Sequence, residues 1–147
     1  MKKHFLISLL SILILGFLSG KTTDLSLQNW YPTLIKSPYN PPSYVFPIAW
    51  TFLYILIAIS LGILLSKKID RKPFYLQLLL NFLWSPVFFG MQNPTLGLAI
   101  ILFLGYMIFE NMIRYKKASK LASILLIPYF LWVLFALYLN AYIVINN

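Results

Sequence analysis

The sequence predicts an all-α membrane protein, a bundle of five transmembrane helices. Of its 147 residues, 61% are hydrophobic and only 10% are charged, and the mean hydropathy is +0.81. A soluble domain of this size rarely exceeds one half apolar residues. The apolar residues fall in five runs of about 16–25 residues, which is near the length that crosses hydrocarbon. These runs lie at residues 5–20, 43–66, 74–91, 95–113 and 121–145 of a single domain, 1–147.

The breaks between the runs also support five spans. A charged stretch at 67–73 separates the second run from the third, and a second charged stretch at 114–120 separates the fourth from the fifth. Gln92-Asn93-Pro94 is a tight turn that joins antiparallel neighbours. The segment 21–42 is predicted to be a lid loop, because its four prolines remove backbone donors and block helix formation. Pro47, Pro86 and Pro128 lie within or near spans, where each frees a carbonyl and can kink its helix.

Charge fixes the orientation of the spans. Ten of the twelve cations lie in the amino terminus, the 67–72 loop or the 114–120 loop. Five spans place these three regions on one side of the membrane, and the positive-inside rule makes that side cytoplasmic. The amino terminus is therefore predicted to be cytoplasmic and the carboxyl terminus to lie on the opposite side. The first run also resembles a signal peptide, but its apolar part is long and no A-x-A pattern follows it.

The composition excludes several kinds of chemistry. There is no cysteine, so disulfides, thiolate metal sites and a cysteine nucleophile are absent. One histidine and three acids offer no metal-binding set and no pair of catalytic carboxylates. The net charge of +9 is explained by cytoplasmic loops and does not require nucleic acid as a partner. Glu110, the one acid inside a span, is predicted to pair with Arg114 one turn later.

Three spans carry stripes of polar and aromatic residues at helical spacing. Amides inside a bilayer are costly unless they are paired, so these stripes should face the bundle interior. They serve either as contacts between helices or as a ligand site. For Asn140 we favour a contact between helices. Gly16 and Gly20 have the GxxxG spacing, which fits a dimer or internal close packing equally well. The stripes are Trp50, Tyr54, Ile57 and Leu61 on the second span; Gln77, Asn81, Trp84 or Ser85, Phe88 and Gln92 on the third; and Tyr129, Trp132, Ala136 and Asn140 on the fifth.

Three stretches carry a family resemblance: WYPTLIKSPYNPPSYVFPIAWTFLYILIAISLG, LNFLWSPVFFG and LLIPYFLWVLFALYLN. In order, spacing and span layout the chain resembles the tryptophan-rich sensory protein / translocator protein family, also called the peripheral-type benzodiazepine receptor family. The resemblance implies a compact five-helix bundle, usually a homodimer in the lipid bilayer. It also implies a pocket near the first loop that binds tetrapyrroles such as protoporphyrin IX and haem, as ligands and not as required cofactors.

The resemblance assigns pocket residues by position in four parts of the chain. It assigns Tyr31 and Pro41 in the lid loop, Trp50 and Tyr54 in the second span, Asn81, Phe88 and Gln92 in the third, and Trp132 and Ala136 in the fifth. Two departures from the family pattern stand out. Tyr142 lacks the basic residue that completes the family's sterol motif, and the lid reads Lys36-Ser37-Pro38-Tyr39 where a tryptophan usually follows Lys-Pro.

Several functions compete on this basis. The first is a receptor or sensor that binds porphyrins and related flat hydrophobic ligands and that could also transport them. The alternative is an enzyme that degrades protoporphyrin in light, with Trp50 and Trp132 as the candidate catalytic residues, because some bacterial members of the family are reported to do so. A dedicated transporter would need a charged pathway or repeat that the sequence does not show. A structural subunit without a ligand is the remaining alternative.

Overall fold

The computed structural model describes residues 2–147, and within that range the chain is helical without a β-strand. The α-helices are α1 (Lys2–Lys21), α2 (Asp24–Asn29), α3 (Val45–Leu65), α4 (Lys72–Ser85), α5 (Pro94–Lys116), α6 (Lys120–Ile124) and α7 (Ile127–Asn146). A 3-10 turn covers Tyr31–Thr33, and a π-helical turn covers Pro86–Gly90.

Four helical stretches in the described chain are long and apolar enough to cross a membrane. They are Lys3–Lys21, Val45–Leu65, Pro94–Lys116 and Lys120–Asn146, with mean hydropathies between 1.8 and 2.4. The last of these combines α6 and α7, which are separated by a break just before Pro128. Proline is tolerated in the first turn of a helix, where its missing N–H has no intrahelical partner. The chain is therefore an all-helical integral membrane protein.

The predicted five-helix bundle is not established, because the third predicted span is divided. α4 has 14 residues, which at 1.5 Å per residue reach about 21 Å, short of a hydrocarbon core of about 30 Å. Pro86 has no N–H to donate to the carbonyl of Phe82, four residues earlier, so the regular α-helical pattern ends there. The chain continues as a π-helical turn through Gly90 and is not one unbroken helix.

The segment predicted to be a lid loop contains two short helical pieces. α2 and the 3-10 turn lie between α1 and α3, and Pro32 occupies the start of the 3-10 turn. The four prolines therefore keep this segment from forming a long helix, but they leave room for one α-helix of six residues before the first proline. We keep the name lid for residues 21–42.

The helices pack in a ring whose order differs from their order in the chain. α1 lies against α3 and α4, and α5 lies against α4, α6 and α7. The contact of α3 with α7 is sparse, and this weak contact leaves space between them on the lid side. The predicted pair of Glu110 with Arg114 is confirmed as a salt bridge along α5. Fully buried apolar side chains fill the other half of the bundle: Ile57, Leu64, Phe74, Leu104, Ile108 and Val133.

Candidate functional site: a cavity beneath the lid

A cavity of about 510 Å³ lies between α1, α3, α4 and α7, directly beneath the lid. Its walls are mostly aromatic and aliphatic side chains with a few amides and hydroxyls. This size and character are typical of a pocket for an organic ligand, for which volumes run from about 300 to 1,000 Å³. The residues that matter most below are Gly16, Ser19, Lys21, Asp24, Tyr31, Trp50, Tyr54, Asn81, Trp84, Ser85, Phe88, Ala136 and Asn140.

α3 supplies an aromatic wall. Trp50 and Tyr54 lie one turn apart, with ring centroids 5.5 Å from each other. The indole of Trp50 also packs edge-on against Tyr129 of α7, at 6.3 Å. Stacked and edge-to-face rings of this kind hold each other in place and present flat faces to the cavity.

Asn81 connects three helices at the base of the cavity. Its amide nitrogen donates to the hydroxyl of Tyr129, at 2.8 Å, and its carbonyl oxygen lies 3.5 Å from the hydroxyl of Tyr54. The side chain is 5% exposed, and burial of an amide is tolerated because these hydrogen bonds satisfy it. The bond to Tyr54 is at the long limit, so the carbonyl oxygen of Asn81 retains capacity to accept from a ligand.

Asn140 on α7 joins two other parts of the bundle. Its carbonyl oxygen accepts from the indole N–H of Trp84, at 3.1 Å, and its amide nitrogen donates to the carbonyl of Pro94, at 2.8 Å. The sequence favoured a contact between helices for Asn140, and these bonds are such a contact. The same bond fixes the Trp84 ring, which stacks on Phe88 with centroids 5.1 Å apart and lines the cavity.

α1 forms a side of the cavity to which the sequence analysis assigned no residue. The ring of Tyr54 lies directly against Gly16, so that a Cβ at residue 16 would clash with Tyr54 Cε2. Of the two alternatives for the GxxxG pair, the structure shows internal close packing at Gly16. Gly20 has no heavy atom within 4 Å of the position of a Cβ.

The lid is bound to the π-helical turn by hydroxyl groups. Ser26 of α2 donates to the carbonyl of Phe89, and the hydroxyls of Thr23 and Ser85 lie 2.6 Å apart. The last carbonyls of a helix have no partner within it, so they are available to such donors. The irregular end of the third predicted span therefore serves as the docking surface of the lid.

The other end of the lid is held by Tyr31 and by α7. The hydroxyl of Tyr31 donates to Asn40, at 3.0 Å, and its ring packs against Phe88 and Phe89. Burial raises the pKa of Tyr31 above its ordinary value, and the hydrogen bond with Asn40 opposes that rise in part. Further along, Ser37 and Tyr138 share a hydrogen bond of 2.7 Å between their hydroxyls.

The mouth of the cavity carries one charge of each sign. Lys21 and Asp24 both line it, and both are exposed. The ammonium of Lys21 lies 5.0 Å from the ring centroid of Phe17. Among the described residues no carboxylate lies within salt-bridge distance of Lys21, since the ion pair found there is that of Glu110 with Arg114. The cavity thus offers a cation to an acidic group on a ligand.

The structure brings together six of the nine pocket residues assigned from the sequence. Tyr31, Trp50, Tyr54, Asn81, Phe88 and Ala136 line the cavity.

The other three assigned residues lie outside the cavity wall. Pro41 is half-buried in the lid, and Gln92 is exposed in the turn after the π-helical segment, with φ 51°. Trp132 packs edge-on against Phe46, at 6.1 Å, and Phe46 lines the cavity whereas Trp132 does not. The buried indole N–H of Trp132 has no hydrogen-bond partner in the described part of the chain.

None of the pocket residues assigned from the sequence lies on α1 or α2. Gly16, Ser19, Lys21 and Asp24 all line the cavity, although the first span carries no aromatic or amide stripe. The signals available for them were the small residues at 16 and 20 and the hydroxyls at 19, 23 and 26. No cluster of three or more histidine, cysteine or acidic side chains suited to a metal occurs within residues 2–147.

Comparison with known proteins places this arrangement in a family. Residues 8–145 match the model of the TspO/MBR family. The chain is similar to the tryptophan-rich protein TspO of Archaeoglobus fulgidus, with 41% identity over 95% of this chain and 94% of the relative. It is also similar to the tryptophan-rich protein TspO of Chlorobaculum tepidum, with 39% identity over 87% and 85%. The tryptophan-rich sensory protein of Cereibacter sphaeroides is 36% identical over 77% and 73%.

Proposed function

The chain belongs to the TspO/MBR family of membrane sensory and translocator proteins, and we propose that it is a receptor that binds porphyrins and related flat hydrophobic ligands beneath its lid. The observation that carries the proposal is the cavity of about 510 Å³ between four helices, with indole, phenol and phenyl faces along its walls. A planar macrocycle gains both apolar burial and ring stacking in such a site.

The polar groups of the cavity suit a tetrapyrrole in particular. The carbonyl oxygen of Asn81, which retains capacity to accept, lies at the base of the cavity, where a pyrrole N–H of a macrocycle would lie. Lys21 lies at the mouth, where a propionate carboxylate would meet a cation and water. A ligand with one apolar plane and an acidic edge is therefore matched at both ends of the cavity.

A porphyrin titration tests this proposal. Protoporphyrin IX should quench the tryptophan fluorescence of the purified protein with saturation, and Trp50→Ala should weaken the affinity by about tenfold or more, as loss of a stacked aromatic commonly does. Phe103→Ala is the matched control, because Phe103 is an aromatic residue that is 46% exposed on α5 and lies away from the cavity. Equal affinities in wild type, Trp50→Ala and a Trp84→Ala variant would refute the site.

Illumination of the same complex separates binding from degradation. Photo-oxidation by two tryptophans would require both rings near the ligand, whereas Trp50 lines the cavity and Trp132, which packs against Phe46, does not. We therefore expect the porphyrin absorbance to bleach in oxygen no faster with the protein than without it. Faster bleaching that is lost in Trp132→Phe would instead support the enzyme.

We also propose that α4 and the π-helical turn together complete a fifth crossing, with the amino terminus in the cytoplasm. The support is the distribution of cations, ten of which then lie on one side. Because the chain has no cysteine, single cysteines report topology directly. Lys68→Cys and Gln92→Cys should react with an impermeant thiol reagent from opposite faces, Lys68→Cys from the cytoplasmic one. Labelling of both from one face would show that this segment does not cross.

The family resemblance further leads us to propose a homodimer. The outer face of α1 is apolar and exposed over its whole length, with Leu6, Leu10, Ile14 and Phe17 each more than half exposed. Such a face is covered either by lipid or by a second copy of the chain. A cysteine at Leu10 should form a disulfide-linked dimer in membranes under oxidation if α1 meets α1, and the monomer should persist if it does not.

A further inference from the structure

A second groove, of about 290 Å³, lies at the opposite end of the bundle from the lid, between α5 and the α6–α7 pair. α6 ends at Ile124 and α7 begins at Ile127, and residues of both helices line the groove. The hydroxyl of Ser123 donates to the carbonyl of Met112, at 2.6 Å, and this bond holds α6 against α5 at the floor of the groove. The groove is thus a built feature of the bundle.

One end of the groove is cationic. Lys116 at the end of α5 and Lys120 at the start of α6 both line it. Within residues 2–147 the ion pair that the structure shows is that of Arg114 with Glu110, so neither lysine has an acidic partner within salt-bridge distance. Two lysine side chains that line the same groove favour an anionic occupant.

The rest of the groove is apolar and runs along the helices. Phe109 lies seven residues before Lys116 on α5, which corresponds to about 10 Å of helix, and Ile127 lies seven residues after Lys120. Phe109, Ile113, Ile124 and Ile127 are between 40% and 60% exposed, so their side chains are open to an occupant. The cationic end lies beside the charged loop, and the apolar end lies at the depth of the spans.

We propose that this groove binds an anionic phospholipid, with the phosphate between Lys116 and Lys120 and an acyl chain along Phe109 and Ile127. The order of charged and apolar residues is that of a lipid standing in its leaflet, with the headgroup at the membrane surface. A free phosphate would satisfy the lysines but not the apolar length of the groove. The proposal depends on the chain lying in a bilayer and is independent of any ligand in the cavity beneath the lid.

Native mass spectrometry of the full chain in detergent tests the headgroup. Titration with palmitoyl-oleoyl phosphatidylglycerol and with phosphatidylcholine of the same chains should show preferential retention of the anionic lipid. The double variant Lys116→Ala/Lys120→Ala should reduce that preference by about tenfold. Lys67→Ala/Lys68→Ala is the matched control, because it removes the same charge from another exposed loop and neither lysine lines the groove. Equal losses in the two double variants would show diffuse attraction to charge and overturn the site.

Two further measurements test the acyl chain. Ile113→Trp should fill the groove and displace phosphatidylglycerol, whereas Leu102→Trp should not, because Leu102 is equally exposed on α5 but lies outside the groove. Inorganic phosphate at millimolar concentration should fail to compete with the lipid. Full competition by phosphate, or equal retention in the two tryptophan variants, would show a simple anion site and overturn the assignment to phospholipid.

Discussion

The hydroxyl of Ser19 on α1 donates a hydrogen bond of 2.9 Å to the main-chain carbonyl of Phe82 on α4. Phe82 lies four residues before Pro86, so its carbonyl is the one that the missing proline N–H leaves without an intrahelical partner. A side chain 63 residues away in sequence therefore satisfies the backbone group that the proline exposes. This bond, together with those of Thr23 and Ser26, ties α1 and the lid to the irregular part of the third predicted span.

Loss of the Ser19 hydroxyl should destabilise the protein. Ser19→Ala leaves a carbonyl unpaired in an apolar environment, and we expect the free energy of unfolding to fall by about 1 kcal/mol. Thermal or denaturant unfolding in detergent measures the change. Ser11→Ala on the same helix is the control, because Ser11 is exposed and its side chain makes no hydrogen bond in the described structure. In a Pro86→Ala background, which restores the N–H, the cost of Ser19→Ala should approach zero, and an unchanged cost there would contradict this role.

A methyl group at residue 16 should disturb the cavity. In Gly16→Ala the new Cβ would clash with Tyr54 Cε2, so the phenol ring must move away from α1. We expect weaker binding of protoporphyrin IX and a loss of about 1–2 kcal/mol in stability from overpacking.

Gly105→Ala is the comparison for that variant, with unfolding and porphyrin titration as the measurements. A Cβ at residue 105 would meet Val133 at 3.7 Å, an ordinary contact, and Gly105 does not line the cavity. Replacement of a helical glycine by alanine without a clash stabilises by up to about 1 kcal/mol. If both variants behave alike, the contact of Tyr54 with Gly16 does not shape the cavity.

Helical periodicity and the family motifs accounted for the part of the cavity that is rich in large side chains. Trp50 and Tyr54 lie one turn apart on one helix, and polar Asn81 must face inward in a bilayer, so their convergence follows from local rules. The contribution of α1 could not be predicted in this way. Gly16 acts by leaving room for the ring of Tyr54, and Ser19 acts by donating to a carbonyl on a distant helix. Neither interaction leaves a periodic pattern in the sequence.

The π-helical turn marks a second limit of sequence reasoning. Pro86 predicted a break in the hydrogen bonding of the third span, and the structure has one. How the chain continues after a proline depends on which groups accept and donate around it. Here Ser26 of the lid donates to Phe89 and Thr23 of the lid bonds with Ser85, and these partners are brought together only by the tertiary fold.

Trp84 and Trp132 should respond differently to replacement by phenylalanine. Trp84 donates to Asn140, so Trp84→Phe leaves a buried carbonyl oxygen unpaired and should cost about 1–2 kcal/mol of stability. Trp132 has a buried N–H without a partner, so Trp132→Phe removes an unsatisfied donor and should be neutral or slightly stabilising. Parallel unfolding of the two variants checks the difference, and a larger loss in Trp132→Phe would mean that its indole has a partner in the membrane.

Alkaline pH should release the lid through Tyr31. Burial raises the pKa of this phenol in the docked lid, whereas an undocked tyrosine ionises near pH 10. The docked lid therefore has its full stability below pH 10 and loses it progressively as the pH rises from that value through the raised pKa. We expect the dissociation rate of bound protoporphyrin IX to increase in a pH jump from 8 to about 10.5, as followed by stopped-flow fluorescence.

Phenylalanine variants separate this effect from general alkaline unfolding. Tyr31→Phe has no phenol to ionise, so its dissociation rate, relative to its own value at pH 8, should rise less than that of the wild type. Tyr39→Phe should keep the wild-type profile, because Tyr39 lies in the same lid but is 75% exposed. A charge on Tyr31 would have to be buried against Phe88 and Phe89. Identical pH profiles in wild type and Tyr31→Phe would show that another group controls the opening of the lid.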